Sequence, residues 1–299
     1  MKILVFGGTG RTGQVMCRVA AARGAVVLAP MHATCPLEDA EAVSDLVLAS
    51  GAELVVNCAA ISGLEACGDD PLRAHLINAV APAAMALACR HTGARFVHLS
   101  TDYVLDGRRG GVKDESAKCR PVCVYAESKR EGELQVLEAW AESTIARVSW
   151  ICGNPAKPGF AESVVAKALA GQSLAAIADK TSLPTDAEDI ARVVLALASA
   201  RATGIFHVCA RGEPMSWWDC ARIALEESVH AGILPSASEV TQQKLDGVSF
   251  FREPRPRHTA MVSTRLPALG ISMPTAEETI RRVVRRFHGK CKLLKSALH

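Results

Sequence analysis

A chain of 299 residues is long enough for one large domain, or two closely joined ones, around a sizeable core. With 49% hydrophobic and 22% charged residues it has the composition of a soluble globular protein, and a formal net charge of +3 excludes a general polyanion-binding surface, so no nucleic acid partner is expected. Charges or turn signals interrupt every apolar run before about 18 residues, which predicts no membrane span.

Met1-Lys2 leads directly into Ile3-Leu4-Val5-Phe6, a continuous apolar run suited to a buried parallel strand and unlike a signal peptide. Gly7-Gly8-Thr9-Gly10-Arg11-Thr12-Gly13 follows, then a helical pattern through Val15, Met16, Val19 and Ala20. Gly7-x-x-Gly10-x-x-Gly13 between a strand and a helix lets the backbone turn tightly against a pyrophosphate, whose charge the helix N-terminus stabilises. A dinucleotide site is expected here. The second strand, Ala25-Val26-Val27-Leu28-Ala29, ends in Pro30-Met31-His32, without the carboxylate that often binds the ribose of NAD; the nearest acids are Glu38 and Asp39. With Arg11 in the glycine turn to meet a 2′-phosphate, NADPH is expected and NADH is the alternative.

A helix over 38–50 precedes the strand Glu53-Leu54-Val55-Val56-Asn57, and the small residues Cys58-Ala59-Ala60 leave room for a ligand at its end. Residues 71–91 form a long helical pattern in which Asn78 reads as a capped core residue. The next strand, Arg95-Phe96-Val97-His98-Leu99, delivers Ser100-Thr101-Asp102 to a C-terminal strand edge, where open parallel sheets bind ligands. His98 alternates with apolar neighbours and reads as a packed core histidine, and 106–111 reads as a mobile surface loop.

In Pro121-Val122-Cys123-Val124-Tyr125-Ala126-Glu127-Ser128-Lys129, a helix would place Tyr125 and Lys129 on one face. A phenol titrates near ~10, and a neighbouring cation favours its ionised form, so Lys129 is expected to ready Tyr125 for proton transfer. A hydroxyl from Thr101 or Ser100 would bind the substrate oxygen. Ser143-Thr144-Ile145-Ala146-Arg147-Val148-Ser149-Trp150 completes a strand and helix alternation, which predicts an α/β doubly wound parallel sheet.

Breakers then mark a smaller, mainly helical C-terminal substrate domain. The expected division is 1–150 and 182–211 for the nucleotide domain, 151–181 and 212–256 for the substrate domain, and 257–299 for a C-terminal helix and basic tail. Ser216 is the expected N-cap of a helix carrying Trp217 and Trp218 in packing roles. Arg281-Arg282 through Lys295 reads as a solvated basic helix and tail. The eleven cysteines are odd in number and lack Cys-x-x-Cys spacing, so neither a disulfide framework nor a metal site is expected, and the compartment reads as a reducing cytoplasm.

Taken together, Gly7-x-x-Gly10-x-x-Gly13, Val56-Asn57-Cys58-Ala59-Ala60, His98-Leu99-Ser100-Thr101-Asp102-Tyr103-Val104, Tyr125-x-x-x-Lys129 and Arg147-Val148-Ser149-Trp150 are similar to the extended short-chain dehydrogenase/reductases. Among these the chain resembles the dTDP-4-dehydrorhamnose reductase family. Leu183-Pro184-Thr185, Gly204-Ile205-Phe206-His207-Val208 and Arg255-Pro256 before Val262-Ser263-Thr264 continue the match in register to about residue 286.

The resemblance implies an NAD(P)-binding Rossmann domain and reduction of the C4 ketone of a nucleotide-linked 6-deoxy sugar, with Tyr125 as proton donor, Lys129 on the nicotinamide ribose and Thr101 on the sugar oxygen. It places Gly10, Arg11, Thr12, Ala60, Ile61 and Ser62 along the cofactor, and Thr101, Asp102 and Trp150 at the substrate. Arg255 would pair with the nucleotide diphosphate, and a homodimer is implied. The chain departs from the family pattern at Pro36, at Leu99 and over Ile61 to Ala66, which bears on cofactor preference and on the sugar. Two other readings stay open: an NADP-binding, partner-binding protein similar to the regulatory subunit of methionine adenosyltransferase, and another nucleotide-sugar ketoreductase or epimerase.

Overall fold

The structure is a computed structural model that describes residues 1–296, with side chains through residue 289. The basic tail expected beyond that point lies outside the described side chains. In chain order the first half runs β1 (Lys2–Phe6), α1 (Arg11–Ala22), β2 (Val26–Leu28), α2 (Ala40–Ser50), β3 (Leu54–Asn57), α3 (Leu64–Asp69), α4 (Pro71–His75), a π-helical turn (Leu76–Val80), α5 (Ala81–Thr92), β4 (Arg95–Thr101), α6 (Val124–Ala139) and β5 (Thr144–Val148). The second half adds β6 (Ile151–Cys152), α7 (Phe160–Leu169), β7 (Leu174–Ile177), β8 (Thr181–Ser182), β9 (Thr185–Asp186), α8 (Ala187–Ser199), β10 (Gly204–Val208), β11 (Met215–Ser216), α9 (Trp217–His230), β12 (Val240–Gln243) and α10 (Ala276–Ser296).

Six parallel strands form the central sheet in the order β10-β5-β4-β3-β1-β2. Both faces of β1 are covered, so its residues divide by alternation. Ile3 and Val5 enter a core with Val15, Met16 and the apolar face of α8, whereas Leu4 and Phe6 enter the opposite core with Val43, Val47 and Met85. The strand order reverses between β1 and β3, and the crevice at their carboxyl ends is where such sheets receive ligands.

Helix ends follow side-chain chemistry. Asp39 caps α2 by accepting from Ala42 N at 3.0 Å, and Asp186 caps α8 by accepting from Glu188 N at 3.0 Å. Ser216 caps α9 as expected, in a reciprocal pair with Asp219. The run Pro71–Thr92 is apolar and long enough to cross a membrane; here α5 packs against the sheet between α2 and α6, and its apolar side is core.

Beyond the sheet, α7, α9 and α10 share a further core of Ala161, Val165, Cys220, Ile280 and Val284. Arg282 and Arg286 on α10 reach the Asp186 carboxylate, tying this helical group to the start of α8. The ten described cysteines are free.

Candidate active site

The turn after β1 accepts only glycine at two points. Gly7 has φ 75°, and a Cβ on Gly13 would stand 2.0 Å from the Gly7 carbonyl oxygen, so α1 starts directly against the turn. No side chain caps α1 at Gly10, and its first-turn amides face the space above the turn. A cleft of about 280 Å³ opens from there, lined by Thr9, His32, Cys58, Ala60, Ile61 and Arg73. A glycine cradle, an uncapped helix N-terminus and a narrow cleft along β3 fit a dinucleotide. Thr12 is buried under the turn, while Ser62 is exposed outside the lining.

Arg11 behaves differently from expectation. Its guanidinium donates to the carbonyls of Lys157 (3.1 Å) and Pro158 (3.3 Å), and Asn154 donates back to the Arg11 carbonyl at 2.9 Å. The side chain therefore latches the 154–158 loop to α1, and His32 and Arg73 are the basic groups in the cleft lining. Arg73 also holds Glu38 at 2.8 Å.

Asn78 connects the cleft to α6. It accepts from Ile61 N at 3.0 Å, donates to Ile61 O at 3.0 Å and donates to Ser128 Oγ at 3.0 Å. The π-helical turn brings its backbone against Gly132 of α6, where a Cβ would lie 2.2 Å from the Asn78 carbonyl oxygen. Asn78 is thus a clamp between the cleft wall and the helix that carries the reactive residues.

That helix presents Tyr125 beside the end of β4, with its phenol next to the Thr101 hydroxyl. Burial pushes the phenol above its ordinary value; the nearby Thr101 hydroxyl opposes this and the Asp102 charge adds to it. Lys129 does not supply the expected opposing charge. Its Nζ reaches past Tyr125 to the Leu99 carbonyl (2.7 Å) and His98 Nε2 (3.0 Å). Burial is the larger influence on both groups, raising the phenol and lowering Lys129 to about 8.

Asp102 is 3% exposed, and its Oδ2 accepts from Ser149 (3.0 Å), Ser182 (2.8 Å) and Thr259 (2.6 Å). Four chain segments meet at this one carboxylate, whose Oδ1 also accepts from the Thr101 hydroxyl at 3.3 Å. Tyr103 packs edge-on to Tyr125 at 5.9 Å, and Lys180, which donates to the Pro256 carbonyl at 2.5 Å, lies 4.7 Å from the Tyr103 ring centre. Burial lowers Lys180 to about 8, with Asp102 pulling the other way.

Trp150 has φ 33°, a strained value for a bulky residue. Its ring packs against Phe160 (5.6 Å) and Trp217 (5.8 Å) in an aromatic cluster beside the α7 and α9 core. Arg255 donates to Glu65 (2.8 Å) and to the Glu253 carbonyl (2.8 Å), over the Phe251 ring. A larger apolar cavity, about 860 Å³, lies by Cys209, Met261, Leu266 and Met273 and contains none of these groups.

Residues 1–288 match the RmlD substrate binding domain family. Over 241 residues the chain is 33% identical to dTDP-4-dehydrorhamnose reductase of Escherichia coli (strain K12), covering 78% of this chain and 80% of that one. The chain belongs to the dTDP-4-dehydrorhamnose reductase family of oxidoreductases. It is also similar to the spore coat polysaccharide biosynthesis protein SpsK of Bacillus subtilis (strain 168), at 29% identity over 97% of this chain and 99% of that one. The structure superimposes on a dTDP-4-dehydrorhamnose reductase from Clostridium acetobutylicum with a TM-score of 0.86 at 26% identity, covering 95% and 98% of the two chains.

On this reductase framework Tyr125 and Thr101 converge, and Ala60 and Ile61 line the cleft with Gly7 and Gly10. Several further residues shape the site and are hard to find in the sequence. Asn78 gains its role from a π-helical turn that no local pattern signals. His32 and Arg73 line the cleft from two separate segments of the chain. Asn57 and His98, both fully buried, read as ordinary strand residues until their neighbours on adjacent strands are known.

Proposed function

We propose that this chain reduces the C4 ketone of a nucleotide-linked 6-deoxy sugar, dTDP-4-dehydrorhamnose being the expected substrate and NADPH the expected reductant, with NADH the alternative. The observation that carries this reading is the half-buried Tyr125 phenol beside the buried Thr101 hydroxyl at the end of β4, joined through Asn78 to the glycine-turn cleft. A reduced nicotinamide bound there supplies a hydride. Tyr125, kept protonated by burial, donates its phenolic proton to the carbonyl oxygen as negative charge develops on it. Thr101, whose hydroxyl donates to Asp102 Oδ1 at 3.3 Å in the protein alone, would turn that hydrogen to the same oxygen. Lys129 orients the ribose. Arg255 would turn from Glu65 to the substrate diphosphate, to which its guanidinium can donate twice.

The resemblance to SpsK supports the wider class of nucleotide-sugar reductases, so the sugar itself is set by experiment. The proposal includes the domain division given above, a homodimer and a cytoplasmic location. The test is consumption of NADPH with enzymatically prepared dTDP-4-keto-6-deoxy sugar. Tyr125→Phe is expected to lower kcat by about 10² to 10⁴ while the affinity for NADPH is kept. Tight NADPH binding by the wild type with no oxidation for any sugar nucleotide would instead indicate a binding protein.

A further inference from the structure

His98 stands in a hydrogen-bonded chain whose polarity follows atom by atom. Ala59 N donates to Asn57 Oδ1 at 2.9 Å, which turns the amide nitrogen Nδ2 toward His98 Nδ1 at 3.0 Å. An amide nitrogen only donates, so Nδ1 carries no hydrogen, and a neutral imidazole then holds its proton on Nε2. Nε2 faces Lys129 Nζ at 3.0 Å, while Nζ donates to the Leu99 carbonyl. An Nε2–H needs a lone pair, which a neutral amine has and an ammonium lacks. Turning the Asn57 amide over would free Nε2 to accept, but would set two N–H groups against each other at Ala59. Asn57 and His98 are fully buried and Lys129 is 2% exposed, so water cannot relieve either conflict.

We propose that in mildly alkaline solution the Asn57–His98 relay holds Lys129 as a neutral amine in the protein without nucleotide, and that docking of the anionic dinucleotide draws one proton from solvent onto it. The second half rests on reading the glycine-turn cleft as a dinucleotide site. The protonated Nζ has nothing to donate to at Nε2–H, so it leaves His98 for the ribose oxygens, which accept. His98 is therefore a positioning residue for Lys129.

The groups around Lys129 permit this. From β4, His98 is kept neutral by burial, and from the end of β3, Cys58 has its thiol pushed up by burial. On α6, Glu133 lies one turn away, but its carboxylate is engaged by Arg147, Arg130 and Ser100. Among the described residues no carboxylate pairs with Lys129. Burial already lowers it to about 8, within reach of the charge a dinucleotide brings.

The experiment follows the lysine side chains by carbon-13 NMR in the full chain without nucleotide, with thermal melting as a control for folding. One lysine is expected to titrate at about 8 or lower, to vanish in Lys129→Met and to move upward in His98→Gln, whose carbonyl can accept from an ammonium. A second low titration, from Lys180, should survive both changes. Calorimetry with NADPH at about pH 8.5, in phosphate and in Tris, should then show uptake of at least about half a proton by the wild type and none by Lys129→Met. A Lys129 that titrates with ordinary lysines near ~10.4, or equal uptake by Lys129→Met, overturns the proposal. NADPH that fails to bind while Lys129 still titrates low overturns the dinucleotide reading, and with it the proton-coupled step.

Discussion

Arg147 is 1% exposed and Lys129 2%, and both basic side chains end in the layer between α6 and the sheet. Arg147 meets Glu133 through two parallel hydrogen bonds, Nε to Oε1 at 2.8 Å and Nη2 to Oε2 at 2.7 Å, and Ser100 adds a third at 2.5 Å. Its charge is neutralised where it lies. Lys129, one helical turn from Glu133, meets only a carbonyl and an imidazole. A guanidinium stays charged at any pH the protein meets, so burial demands a partner; an amine can release its proton instead. The first arrangement is scaffold, and the second can change state when a ligand arrives.

Breaking the paired cation should have the largest effect. Glu133→Ala leaves Arg147 buried without its partner and is expected to cost about 3–5 kcal/mol, measured by urea unfolding. A loss below about 1 kcal/mol would show that Arg147 does not need its carboxylate.

Gly132→Ala probes the contact between α6 and the π-helical turn. The added Cβ would stand 2.2 Å from the Asn78 carbonyl oxygen, so α6 must shift, at an expected cost of about 2 kcal/mol. Because Asn78 also holds Ile61, NADPH affinity should fall with it, read by fluorescence titration.

Lys129→Met sharpens the contrast through its sign. Folding lowers Lys129 from 10.5 to about 8, so between those limits the unfolded chain binds more protons and wild-type stability rises with pH. Below about pH 8 the buried ammonium opposes folding. The Met variant should therefore be about 2 kcal/mol more stable at pH 7, an advantage that shrinks as pH rises from about 8 and is gone near 10.5. Denaturation of both proteins across that range tests it, and a variant less stable at pH 7 would contradict it.

Arg73 serves as the exposed counterpart. Its pair with Glu38 sits at the surface, so Arg73→Ala should change stability by less than about 1 kcal/mol. It should instead weaken NADPH relative to NADH, by up to about tenfold, since Arg73 lines the cleft with His32.

Local order alone determined much of this protein. The apolar run before Gly7, the three spaced glycines and the repeated strand and helix signals specify a parallel sheet with a glycine turn at its edge, because backbone sterics and side-chain alternation act over a few residues. Tyr125 and Lys129 share a helix face for the same reason. Where Lys129 points was decided by packing: its Nζ is held by residues some thirty positions away on β4, and the low-dielectric layer there reverses the expected effect on the phenol. Asp102 turned inward because Ser149, Ser182 and Thr259 converge on it from distant segments, and Arg11 turned aside because two loop carbonyls lie within its reach. Charges and hydrogen bonds depend on neighbours in space, which only the folded chain assembles.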